Sequence, residues 1–167
     1  MKYWKAGLLF LAAFIIQSGV INIVSIMGRT SNLILALVVV FSFLYENKLY
    51  GFVWGSFFGV LYDICFGIVI GETAIPLALI ALVIFSMNGI YNVENYLNLS
   101  VIALGTIVGF TFINWILLRI AGHPESIGMV VSYMHISWIM TFVVVTIVYF
   151  ILLKDVIKFR RRDRKLI

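Results

Sequence analysis

Apolar residues run along this chain in blocks at about 6–27, 33–45, 49–70, 73–90, 99–119 and 129–153, separated by short polar breaks. No block alternates apolar with polar positions at the two-residue period of a barrel strand, so each predicts a helix. The breaks are rich in turn formers: Gly28 with Ser31 and Asn32, Glu46 with Asn47, Gly71 with Glu72 and Thr73, Asn92 to Asn98, and Gly122 to Ser126. Pro76 falls in the first turn after Thr73, where a missing amide costs little and Thr73 is a candidate cap. The block at 33–45 would measure only about 20 Å as a helix, against roughly 30 Å of bilayer hydrocarbon. It must recruit flanking residues, thin the bilayer or pack inside a bundle. The first block follows Lys2 and Lys5 in the manner of a signal peptide. No A-x-A-like site of small residues follows Gln17 and Ser18, however, and apolar character resumes through Met27, which predicts a retained first helix.

Composition turns these helices into membrane helices. Of 167 residues, 63% are apolar and only 11% charged, whereas a soluble domain needs about a quarter of its residues charged to wet its surface. A span takes about 20 apolar residues, so six spans leave no room for an extramembrane domain. The expected fold is an all-α polytopic bundle of six transmembrane helices over 1–153 followed by a basic tail over 154–167, with five spans as the alternative. Lys2, Lys5, Lys48 and seven basic residues of the tail fall on one side of a six-span topology and only Arg29 and Arg119 on the other. Both termini are therefore expected in the cytoplasm, and five spans would separate the tail from Lys2 and Lys5. The tail residues Lys158, Arg160, Arg161, Arg162, Arg164 and Lys165 suit an anionic lipid surface, at about 1 kcal/mol each. A basic cluster directly after a span argues for a membrane edge over nucleic acid.

Few residues could carry chemistry. Cys65 is the single cysteine, so neither a disulfide nor a CxxC pair can form. His123 and His135 are twelve residues apart and lack metal-ligand partners. No phosphate-binding loop, GxSxG elbow or dinucleotide fingerprint occurs, so neither enzyme activity nor a cofactor is expected. Gln17 and Asn22 are candidates for hydrogen-bonded glue between helices. Trp115, Tyr133 and Trp138 fit an interfacial belt or bundle filler.

The third block is the most informative. Gly51, Gly55, Gly59, Asp63, Gly67 and Gly71 recur at every fourth position, close to one face of a helix. A bare groove of this kind lets another backbone approach in lipid, either inside this protein or on a partner. Gly105 and Gly109 make a weaker second pair. Asp63 continues the stripe, and a buried carboxylate there costs about 2.5–3.5 kcal/mol on insertion scales unless it is paired or protonated. A relay would draw on several carboxylates or histidines, and the spans supply little besides Asp63. A structural polar lock with Arg119 or Asn114 is the favoured reading, with an Asp63–Arg119 pair as the specific expectation.

The run Gly51-Phe52, Gly55, Gly59, Leu61-Tyr62-Asp63-Ile64, Gly67, Ile70-Gly71, preceded by Ser31-Asn32-Leu33 at the head of a short apolar helix, resembles the MreD family of rod shape-determining proteins. The likeness is detailed over about Asn32 to Leu82, with the aspartate its discriminating residue. Ser31 stands where such sequences often carry proline. The resemblance implies a non-enzymatic membrane component of the bacterial cell-elongation machinery in the inner membrane. The partners it implies are a bitopic protein such as MreC, the filament protein MreB, the glycosyltransferase RodA and a class B penicillin-binding protein. It also implies a fold similar to the substrate-binding S components of energy-coupling-factor vitamin transporters, which supplies the alternative function. That alternative would need Asp63, Asn114, Arg119 and His123 to gather around an outward-facing pocket.

Overall fold

The computed structural model describes residues 3–20, 31–45, 49–87, 89–122 and 126–163. Among them the regular structure is helical throughout: α1 (Tyr3–Ile15) with a π-helical continuation (Ile16–Val20), α2 (Leu33–Leu44), α3 (Tyr50–Phe66), α4 (Ala74–Ser86), α5 (Tyr96–Ile120) and α6 (Ile127–Asp163). Among the described residues only α5 and the Met134–Lys154 stretch of α6 are long and apolar enough to cross a membrane by themselves. Asn22, Arg29, Lys48, His123, Arg164 and Lys165 lie outside the described residues.

The short helix α2 organises the bundle. It touches each of the other five helices, and every residue from Ile34 to Leu44 is buried. A helix apolar on all sides is either a membrane span or buried among other elements, and this one is buried. Packing inside the bundle, one of the three outcomes open to so short a segment, is seen directly. Aromatic rings cement its C-terminal half: Phe41 lies against Phe10, Tyr45 and Tyr50, and Phe43 stacks on Tyr91 with ring centroids 4.6 Å apart.

The ends of the elements depart from the hydropathy blocks in two places. The third helix stops at Phe66 and not at 70: Gly67 caps it in an extended conformation, and Gly71 lies in the following loop at φ +101°. Gly67 and Gly71 therefore do not belong to a packing groove on that helix, contrary to the expectation. At the other extreme, α6 runs unbroken through residue 154 to Asp163, so the basic segment is carried on the same rod as the span and is not a separate tail as far as Asp163.

Candidate functional site

The glycine face of α3 is covered from within the bundle. A Cβ at Gly51 would strike the Ser42 hydroxyl and come within 2.9 Å of the Val38 carbonyl oxygen, and one at Gly55 would strike Val38 Cγ2. Both positions are occupied by α2. At Gly59 the neighbour changes to α4, where the added atom would lie 2.8 Å from Ala74 Cα. Three glycines at four-residue spacing thus let two helices close onto a third at backbone distance. On the other side of α3, Trp54 fills the space above Gly7 of α1, where a Cβ would meet the indole at 2.7 Å. Gly105 and Gly109 of α5 have nothing within 4 Å of an added Cβ.

Asp63 follows Gly59 on the same face and is 2% exposed. Its carboxylate closes the entrance to α4. The backbone N–H of Thr73 donates to Oδ1 at 2.9 Å, while those of Gly71 and Ala74 donate to Oδ2 at 2.9 and 3.0 Å. The first N–H groups of any helix lack intrahelical acceptors, and burying them unpaired is expensive. The positive end of the α4 dipole also favours an acidic group there. The side chain of Thr73, the expected cap, makes no capping hydrogen bond. The loop from 67 to 73 is therefore folded back around the aspartate, and Gly71 supplies the positive φ that the reversal requires.

Asn114 of α5 reaches the same loop from outside. Its amide donates to the Glu72 carbonyl oxygen at 3.2 Å and to Glu72 Oε1 at 3.4 Å, while Glu72 Oε2 accepts from the Ile68 N–H at 3.2 Å. Asp63 and Asn114 thus grip one turn at different atoms and do not touch each other through these bonds.

Arg119 takes no part in the cluster: its guanidinium sits over the Trp115 ring, 5.3 Å from the centroid, on an exposed part of α5. The expected Asp63–Arg119 pair is not formed. Both carboxylate oxygens are instead engaged by backbone donors at the start of α4, and the guanidinium is taken up by the Trp115 ring.

A second polar closure, unforeseen except at Gln17, seals the head of α2. Asn32 caps its own helix by accepting from the Leu35 N–H at 2.9 Å. Gln17 Oε1, delivered by the π-helical turn after α1, accepts from the Ile34 N–H at 3.1 Å, and Thr141 of α6 accepts from the Asn32 N–H at 3.0 Å. The Ser31-Asn32-Leu33 signal correctly locates a helix start, since Asn is a strong N-cap. Thr141 could have been found only as one buried hydroxyl among apolar neighbours. Trp138, placed in a belt or filler role, donates from Nε1 to Thr111 Oγ1 at 2.9 Å and ties α6 to α5.

Among the described residues no three His, Cys, Asp or Glu side chains gather as metal ligands. Two buried helix N-termini meet in this region: that of α2 is satisfied by Asn32, Gln17 and Thr141, and that of α4 by Asp63. No protein-family model, curated protein or solved structure matches the chain.

Proposed function

We propose that the chain is a multi-pass membrane bundle acting as a non-enzymatic scaffold of the bacterial cell-elongation machinery, as its resemblance to the MreD family implies. The observation that carries this reading is the behaviour of the segment that bears the resemblance. Gly51, Gly55, Gly59 and Asp63 form one continuous packing unit that fixes α2 and α4 against α3. A residue set consumed in rigidifying the fold suits a platform for other proteins better than a ligand pocket.

The membrane environment is supported by the surface. Large apolar side chains are exposed on α1, α3, α4, α5 and α6, among them Leu8, Phe57, Val83, Val101 and Ile151, far beyond the patches that a water-soluble monomer tolerates. In this reading the six α-helices are the six spans, with both termini cytoplasmic. α1 with its π turn, α3 and α4 are each at or below about 30 Å in length, so the closures at Gln17 and Asp63 serve backbone donors where water is scarce.

The functional part is tested by depletion in the native cell. Rod-shaped cells should round up, and the protein isolated from native membranes should bring with it a bitopic partner of the MreC kind, and with it MreB, RodA or a class B penicillin-binding protein. Unchanged cell shape together with tight binding of a vitamin by the purified chain would overturn the scaffold reading in favour of a transporter S component.

A further inference from the structure

The outer ends of α5 and α6 rise past the level at which the α3–α4 turn stops. The apolar stretch of α6, Met134–Lys154, is 21 residues long, about 30 Å as a helix, which matches the hydrocarbon of a bilayer. Trp138, one turn inside the outer limit of that stretch, is bonded to Thr111 of α5. The antiparallel α5 therefore reaches the same level one turn after Thr111, at Trp115. Asn114 gives the same height independently, because its amide holds the Glu72 turn that joins α3 to α4. Residues 116–120 of α5 and 127–133 of α6 continue beyond it, by roughly 7 and 10 Å of helix. That hairpin is apolar where headgroups and water surround it: Ile116 is 36% exposed, Ile120 78%, Ile127 43% and Val131 46%.

Arg119 lies on the same side of α5 as Ile116 and Ile120, three residues after the one and next to the other. Its guanidinium has the Trp115 ring against one face, which leaves its N–H edge for an acceptor. No acidic side chain pairs with it among the described residues. We propose that Ile116, Arg119 and Ile120 form a docking ridge for the extracytoplasmic part of another protein, one that offers apolar side chains around a carboxylate. The inference rests on the multi-pass reading above and deepens it by placing a partner surface on the outer end of α5. Acyl chains end at the level of Trp115 and do not reach the ridge, and large apolar side chains left outside lipid mark an interaction site. A second copy of this chain fits poorly. A twofold axis normal to the membrane would set α5 against a parallel α5 and Arg119 against Arg119, a like-charge contact. A carboxylate takes the guanidinium edge-on through paired hydrogen bonds, while the flanking isoleucines exclude water from the pair.

The test follows the reaction of a membrane-impermeant maleimide with Ile116→Cys or Ile120→Cys in a Cys65→Ser background. Rates are taken relative to Ser126→Cys, which is exposed at the tip of the hairpin. In the purified chain, reconstituted in palmitoyl-oleoyl phospholipid vesicles, both reporters should react. Protection there would mean that lipid or the chain itself covers the ridge, and overturns the proposal. In intact cells both should react at least about ten-fold more slowly than in vesicles, as the water-excluding rim of an interface requires. Equal rates in cells and vesicles would leave the ridge without an occupant, and a disulfide-linked dimer of the Ile120→Cys chain would assign it to a second copy; either overturns the proposal. Adding Arg119→Glu should return the cellular rates to the vesicle values, while Arg119→Lys, which keeps the charge, should retain most of the protection. Full protection in Arg119→Glu overturns the carboxylate pairing. Ser126→Cys reads the underlying assumption by itself. If it reacts only after permeabilisation, the orientation of the multi-pass reading is overturned, whereas a reactive Ser126→Cys with unprotected reporters overturns the ridge alone.

Discussion

Replacing the Asp63 carboxylate would strand three backbone N–H groups at the buried start of α4. Each such loss costs about 1–3 kcal/mol, so Asp63→Ala should lower unfolding stability in detergent by at least about 3 kcal/mol. Asp63→Asn should recover only part of this, because an amide offers one acceptor atom where the carboxylate offers two. Arg119→Ala should lie within about 0.5 kcal/mol of the parent, as expected for an exposed side chain, and the two substitutions should be additive in a double-mutant cycle. A coupling above about 1 kcal/mol would restore the ion pair that the geometry denies. The importance of Asp63 was legible in the sequence because a carboxylate inside an apolar block is costly wherever it lies. Its partners were not, since backbone N–H groups carry no residue-type signature and only Arg119 and Asn114 advertised themselves. The nearest available signal was the loop itself: Gly71 and Thr73 mark a helix start eight to ten residues after the aspartate.

At the level of elements, the seam between α3 and α2 turns on which atoms face each glycine. At Gly55 the obstacle to a Cβ is the Val38 side chain, chiefly one methyl group. Gly55→Ala should therefore cost about 1–3 kcal/mol through overpacking, and adding Val38→Ala should return much of the loss. Gly59→Ala should resist any such rescue, because the atoms in its way are the backbone of Ala74. Gly105→Ala, with open space around it, should leave stability unchanged or slightly improved. Thermal unfolding of the four variants decides the set, and an unrescued Gly55→Ala would show that α2 and α3 are not in the register described. The order of these helices was readable from hydropathy alone, whereas their ends were not. Hydropathy reports the apolar run, and the Lys- and Arg-rich end of α6 is made of good helix formers, so the helix continues past Lys154, where that run ends, to Asp163. The π turn at Ile16–Val20 was invisible for a related reason: one extra residue in a turn leaves an all-apolar pattern unaltered while it re-aims Gln17 at α2.

For the molecule as a whole, the two ends of the bundle are chemically different, and that difference predicts its orientation. Gln17, Asn32, Asp63, Asn114 and Thr141 cluster at the end where α2 and α4 begin. The opposite end is aromatic: Tyr3 and Tyr45 pack on Tyr50, and Tyr149 donates to the Val93 carbonyl oxygen at 2.9 Å. Tyrosines at the mouth of a membrane bundle sit naturally at headgroup level, and this is also the end from which α6 extends its basic positions. If those positions face the cytoplasm, Glu94 does as well, and Ser126, in the break between α5 and α6, faces outward. Cys65 is exposed and can be removed as Cys65→Ser with little expected effect on stability, which leaves a background for single reporters. In intact cells a membrane-impermeant maleimide should label Ser126→Cys and spare Glu94→Cys; permeabilisation should make both react. Labelling of Glu94→Cys alone would invert the topology, and labelling of both before permeabilisation would mean that α5, which joins the two sites and is one of the two described helices long enough to cross unaided, does not separate two compartments.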